Sequence, residues 1–208
     1  MCLTRPLWGS RRPGYLVTPE RIRKALAAFG PPSSDYDLNS SVDLPPGRKL
    51  RGAAVLIGLT PEAEVILTVR SSALKHHPGQ IAFPGGKIEA GETAETAALR
   101  EAEEEIGLQP GAVDVLGVMP THETVTSFTI TPVLGWVDSA FEPVPEVGEV
   151  AEVFRAPLPH VTDPTRFRVE SRRWRGQRRY YYAVPYGPYY IWGATARILR
   201  ALADRMAV

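Results

Sequence analysis

Only one cysteine, Cys2, occurs in the 208 residues. No intrachain disulfide can form, and a reducing, cytoplasmic location is expected. No apolar run is long enough to span a bilayer, so no membrane partner is expected. Neither sign of charge dominates, since 24 Lys and Arg face 23 Asp and Glu for a net charge of +1. That balance removes any global pull toward nucleic acid or an anionic membrane, and makes nucleic acid an unlikely partner. Repeats and low-complexity blocks are absent. So is the strand–helix alternation of an all-parallel sheet. No acid precedes Glu20. The basic start, MCLTRPLWGSRRPGYL, bears a weak likeness to an organellar presequence but lacks its amphipathic pattern and has no secretory apolar core. A plain N-terminal arm is the blander reading.

What is present is average globular material, 44% hydrophobic and 23% charged, in a length suited to one principal domain. TPERIRKALAAFG reads as a helix, with Thr18 as cap, Pro19 in the first turn and Gly30 as its end. Residues 31–47 are turn-rich and polar, a linker or a long surface loop. Residues 1–50 are therefore expected to form an arm, helix and linker, and 51–208 the main domain. Within the latter, 52–59 and 64–70 read as buried strands joined by a turn around Pro61. Further strands are expected at 112–119, 127–137 and 149–158. An Arg-rich hairpin turns near Gly176, and 191–206 form an amphipathic terminal helix. Strands thus dominate, with one helix in the middle and one at the end, giving an α+β class.

The middle helix raises a chemical question, because Ala102 is the only uncharged residue from Glu101 to Glu105. Thr93 suits its N-cap, Glu95 its first turn, and Gly107 the left-handed position after its end, with Leu108 packing back. Glu101, Glu104 and Glu105 stand at i, i+3 and i+4, on one face, separate from Glu103. Like charges so spaced cost a few tenths of a kcal/mol per pair. Arg100 is near but is expected on a different side. A solvated acidic face is one reading. The other is a divalent cation: Mg²⁺ takes oxygen ligands and is commonly shared between carboxylates and substrate phosphates.

The surrounding residues weigh on that choice. Gly86, five residues, Glu92, seven residues, Arg100-Glu101-Ala102, one residue, Glu104-Glu105, one residue, Gly107-Leu108 resembles the Nudix box at every fixed position. A chance match of seven specified residues in this length is roughly one in a million. The resemblance implies a Nudix α/β/α sandwich with a mixed β-sheet, a catalytic loop-helix and a C-terminal helix. It implies hydrolysis of a nucleoside diphosphate linked to another group, with Mg²⁺ or Mn²⁺ as cofactor. Glu101, Glu104 and Glu105 would be the metal ligands, joined by the Gly85 carbonyl. Glu92 and Arg100 would form the ion pair that fixes loop against helix. A carboxylate must take the proton of the attacking water. Glu104 is one candidate; Glu146 or Glu149 in a later loop is another, with Glu149 or Glu152 as plain edge-strand charges the alternative.

The stretch before the box, ILTVRSSALKHHPGQIAFPGG, resembles the additional signature of the coenzyme A pyrophosphatase subfamily. The matching residues are Leu67, Thr68, Arg70, Ser71, Leu74, Lys75, His77, Gly79, Gln80 and Phe83 to Gly86. IWGATARIL near the C-terminus is similar to that subfamily as well. The implied activity is cleavage of the pyrophosphate of coenzyme A, free, acylated or oxidised, to 3′,5′-ADP and 4′-phosphopantetheine. Arg70, Lys75 and His77 would meet phosphate oxygens, Arg being best suited to bidentate contact, and Gln80 would hydrogen-bond substrate. Arg70 as a surface ion pair and His77 as a loop brace are the bland alternatives. The rivals in function are a Nudix pyrophosphatase for ADP-ribose, NADH or a nucleoside triphosphate, and a non-catalytic Nudix module that binds nucleotide or RNA. The segment from Arg166 to Tyr182 is a solvated basic hairpin, a base-stacking surface, or a wall of the substrate pocket that meets the 3′-phosphate. A homodimer stays open.

Overall fold

A computed structural model describes residues 17–27, 30–40, 42, 44, 47–138, 140–174 and 176–207. The basic arm before Val17 lies outside the described residues. Helix α1 (Pro19–Ala27) opens as expected, with Thr18 Oγ1 accepting from the Arg21 N–H at 3.3 Å. The turn-rich stretch after it holds a two-residue strand, β1 (Ser33–Ser34), within the main sheet. The central strands are β2 (Arg51–Leu59) and β3 (Glu64–Arg70), followed by short β4 (Ile81–Ala82) and β5 (Gly85–Lys87). Helix α2 (Ala94–Ile106) precedes β6 (Val113–Val118), β7 (His122–Glu123), β8 (Phe128–Val137) and β9 (Val150–Pro157). A short α3 (Leu158–Val161), the hairpin β10 (Arg168–Trp174) and β11 (Gln177–Ala183), and α4 (Ala194–Met206) complete the fold.

The main sheet is mixed. β2 runs parallel to β8 over its whole length, from Arg51 opposite Phe128 to Leu59 opposite Trp136. On its other side β2 meets β5 through Ala53–Val55, and β3 only at Leu59 opposite Val65. β3 therefore splays away, to pair with β9 and β4. The space opened between β2 and β3 is where β5 and its glycines sit.

Alternation along β2 builds two cores, because successive side chains point to opposite faces. Ile57 and Leu59 join Ile22 of α1 and Ile198, Leu199 and Leu202 of α4 on one face. Ala54 and Leu56 join Ala97, Ala98, Ala102 and Ile106 of α2 on the other. The sheet is thus sandwiched between α2 and the α1/α4 pair, the arrangement implied by the resemblance. Each fully buried Ile or Leu contributes about 2 kcal/mol. Small residues on α2 bring its backbone, and the carboxylates it carries, close to the sheet.

Two polar clasps secure the periphery. His122, wholly buried, bonds Ser33 Oγ at 3.0 Å through Nδ1 and Asp35 Oδ1 at 3.1 Å through Nε2. Asn39 both donates to the Tyr180 carbonyl and accepts from the Tyr180 N–H, each at 2.9 Å. The second clasp ties the β10–β11 hairpin to the segment after α1.

Candidate active site

Helix α2 is held at both ends by its own sequence. Thr93 Oγ1 accepts from the Thr96 N–H at 3.1 Å, and Gly107 turns left-handed with φ of 72°. Leu108 then packs back into the core at 1% exposure. The last turn is also tied to the later loop. Val144 N–H donates to the Ile106 carbonyl and Glu146 N–H to the Glu105 carbonyl, each at 2.9 Å. Helix-end carbonyls that have no intrahelical partner are satisfied in this way.

The three box glutamates meet different surroundings. Glu105 is 4% exposed. Its Oε2 accepts from the Gly85 N–H at 3.2 Å, and its Oε1 lies 3.9 Å from Arg70 Nη1. Burial pushes its pKa up to about 7, reinforced by the charges of Glu101 and Glu149 and opposed by the Gly85 bond and Arg70. Burial also raises Glu101, with Arg100 opposing and Glu104 and Glu149 adding to the rise. The Glu104 side chain is 60% exposed.

Arg100 is not on a different side from these acids, contrary to the sequence reading. Its long side chain curls so that Nη1 bonds Glu101 Oε1 at 3.0 Å and Glu104 Oε2 at 3.2 Å. Its Nε and Nη2 grip the two oxygens of Glu92 at 2.8 and 3.1 Å, and Nη2 also donates to the Lys87 carbonyl. Glu92 in turn accepts from the Glu89 N–H at 2.9 Å, and Arg100 holds its carboxyl down at a pKa of about 2. The expected ion pair between loop and helix is therefore present, and it reaches further than spacing suggested.

Backbone contact requires Gly85, and Gly86 spares the Glu101 carboxylate a displacement. A Cβ on Gly85 (φ of 155°) would lie 2.4 Å from the Ala54 carbonyl oxygen and 2.6 Å from Val55 Cα. A Cβ on Gly86 would lie 2.4 Å from the Glu101 carboxyl carbon. Gly86 thus leaves Glu101 room against the loop, and Gly85 lets β5 lie on β2.

These donors suit a hard divalent cation in kind, being carboxylate oxygens on adjacent helical turns. They are not drawn into a ready cage: among the described residues no three acidic or imidazole groups converge on one point. Glu101 and Glu104 are turned toward Arg100, and Glu105 toward Gly85 and Arg70.

Of the later acids, Glu149 is exposed, and its charge adds slightly to the raised pKa of Glu101 and Glu105. Glu146 is occupied otherwise, with Oε2 accepting from the Glu149 N–H at 2.8 Å. Glu152 accepts from Tyr189 Oη at 2.5 Å, and Tyr189 is stacked on Phe154 with ring centroids 3.7 Å apart.

The four residues assigned to substrate separate. Arg70 faces Glu105. His77 and Gln80 line a groove of about 270 Å³ with Pro78, Gly79, Arg172 and Trp192. Lys75 is exposed and lines neither place. The loop is tight: Gly79 N–H donates to the Arg70 carbonyl and Arg70 N–H to the Gln80 carbonyl, both at 3.0 Å. His77 has a φ of 56°, an uncommon value for a side-chain-bearing residue. Sequence reading did not single out Trp192. Its only signal was its place in IWGATARIL. Thr195, three residues on, anchors that segment by donating to the Ile81 carbonyl at 3.0 Å.

Comparison with known proteins places the chain in a family. Residues 49–175 match the NUDIX domain model. A Nudix hydrolase named NudL from Escherichia coli is 39% identical over 161 residues, covering 76% of this chain and 84% of that protein. A NudL of Cronobacter sakazakii is 40% identical over 156 residues, covering 74% and 81%. Among solved structures, the Nudix hydrolase RenU of M. smegmatis is 27% identical with a TM-score of 0.45, over 55% of this chain and 73% of that one. No described helix is long and apolar enough to cross a membrane. The chain belongs to the Nudix family of hydrolases and is a pyrophosphohydrolase of that family.

Proposed function

We propose that this enzyme hydrolyses the pyrophosphate bond of coenzyme A, free, acylated or oxidised, yielding 3′,5′-ADP and 4′-phosphopantetheine, in the cytoplasm. The observation that carries the reading is the groove shared by His77 and Gln80, two residues of the pre-box signature. It is built on the loop between β3 and β4, and Arg70, the last residue of β3, reaches Glu105. A substrate spanning both would lay its pyrophosphate at the acidic helix and its remainder along the groove.

Nudix hydrolases work with divalent ions, and Mg²⁺ or Mn²⁺ is proposed here. Glu101, Glu104 and Glu105, with the Gly85 carbonyl, would hold the ion. When bound, such an ion neutralises phosphate oxygens and lowers the pKa of a water ligand. The chain's own groups do the rest. Arg70 offers a fork to a phosphate oxygen. Arg100, locked by Glu92, keeps the loop glycines against α2. The proton of the attacking water goes to a carboxylate. Glu149 is favoured over Glu104 for this step, because Arg100 already holds the Glu104 carboxylate, although both acids are exposed.

A substrate panel with Mg²⁺ tests this reading: coenzyme A, dephospho-coenzyme A, ADP-ribose, NADH and nucleoside triphosphates. Mass spectrometry of products formed in ¹⁸O water should give 3′,5′-ADP and 4′-phosphopantetheine, with coenzyme A the preferred substrate. Dephospho-coenzyme A as main product, or a clear preference for ADP-ribose, overturns it.

A further inference from the structure

The β10–β11 hairpin opposes like charges directly. In its register Arg172 faces Arg179 and Arg173 faces Arg178, an arrangement that destabilises an antiparallel pair. Arg172 is the member of this group that lines the groove, beside Gln80 and His77. Its guanidinium carbon sits 4.5 Å from the ring centre of Trp192. Trp192 is itself braced by Tyr181, with centroids 5.1 Å apart. The nearest acid on the same face of the hairpin is Glu170, two residues back, and it is engaged by Tyr190 Oη at 2.6 Å. Among the described residues Arg172 has no carboxylate partner. An arginine spread on an indole keeps its hydrogen-bonding edge free while its flat face is desolvated.

We propose that Arg172, supported by Trp192, is a specificity determinant that binds a terminal phosphomonoester of the substrate, away from the bond that is cleaved. The ligand class is a nucleotide bearing a second phosphate on its ribose, which the groove would take beside Gln80. The fork of Arg172 matches a phosphate bidentately. The phosphate in turn relieves the repulsion between the facing arginines. This rests on the reading of coenzyme A as substrate, whose 3′-phosphate is the group concerned.

Two measurements separate the proposal from that reading. The first is calorimetric binding of 3′,5′-ADP and of 5′-AMP to the metal-free protein. Wild type should bind 3′,5′-ADP more tightly. Arg172→Gln should lose about ten- to a hundredfold in affinity for 3′,5′-ADP and at least about tenfold less for 5′-AMP. Arg172→Lys, which keeps the charge but not the fork, should fall between. The second is the ratio of kcat/KM for coenzyme A to that for dephospho-coenzyme A, which should drop in Arg172→Gln by a similar factor, since it reports differential transition-state binding. Equal losses for the two nucleotides, or none, overturn the role of Arg172. Wild-type failure to turn over coenzyme A overturns the substrate reading instead, and the binding arm still decides the phosphate subsite.

Discussion

Helix α2 and the β10–β11 hairpin each gather like charge: Glu101, Glu103, Glu104 and Glu105 on one, Arg172, Arg173, Arg178 and Arg179 on the other. Their environments differ. α2 presses against the sheet, so Glu105 is buried at 4% exposure, and Arg100, Glu92, Arg70 and the Gly85 N–H form a fixed frame around the acids. The hairpin forms its own two-stranded sheet, with Arg172, Arg173 and Arg178 exposed. Solvent and salt screen exposed charges, whereas a buried group feels its neighbours at low dielectric. Burial on α2 therefore shifts protonation, pushing the Glu105 pKa up to about 7, and like charge from Glu101 and Glu149 adds to the rise. Like charge on the hairpin costs little, because solvent and salt screen it.

The sharpest way to break this comparison is at the buried pole. Glu101→Gln and Glu105→Gln should each lower turnover on the order of a thousandfold, as expected when a metal's charge is no longer held at the reacting phosphates. Circular dichroism should show both variants folded. Near wild-type turnover in both at limiting Mg²⁺ would falsify the ligand assignment.

Next in size is the stability of the metal-free protein. The folded-state pKa of Glu105 is raised from 4.5 to about 7. The folded state thus binds its proton more tightly than the unfolded chain does. The stabilisation is fully present below pH 4.5 and lost as pH rises through about 7, on the order of 3 kcal/mol in all. Denaturant titrations across this window should show wild type weakening and Glu105→Gln holding level. Parallel pH profiles for the two proteins would remove the burial account.

Glu149 and Glu104 sharpen the contrast within the acidic pole. Glu149→Gln should cost about a hundredfold in kcat as a lost proton acceptor and flatten the acidic limb of the pH–rate profile. Glu104→Gln should leave that limb in place. The reverse pattern would give the proton to Glu104.

The smallest effect belongs to the exposed pole. Arg173→Glu replaces a like pair with an opposite pair across from Arg178, worth about 0.2–1 kcal/mol of stability. The gain should shrink in high salt. Destabilisation, measured by thermal melts, would mean that Arg173 has a role other than repelling Arg178.

Much of the fold was legible because its signals are local. The caps Thr93 and Gly107, the apolar runs of β2, β3, β8 and β9, and the turn at Gly176 all work through residues a few positions apart. Strands β1, β4, β5 and β7 were not legible, since two or three residues are too few to show a period of two. Spacing placed Arg100 away from the acids because it treats side chains as short pegs on a cylinder. A flexible arginine has the reach to bend back over its own helix, and Glu92 across the loop draws it there.

By itself the sequence determined the identity and order of the acidic donors, the glycines that let β5 lie against β2, and hence the family. Those features depend on neighbours along one helix and one turn, where geometry follows from chain connectivity. Only the tertiary structure decided that Glu105 is buried while Glu104 is not, because burial depends on β2 and β5 packing against α2. Only it joined Gln80 to Arg172 and Trp192, about a hundred residues further along, because the hairpin and the start of α4 are brought to that loop by contacts no local pattern encodes. The donors of this site were written in one segment; the groove beside them was made by folding.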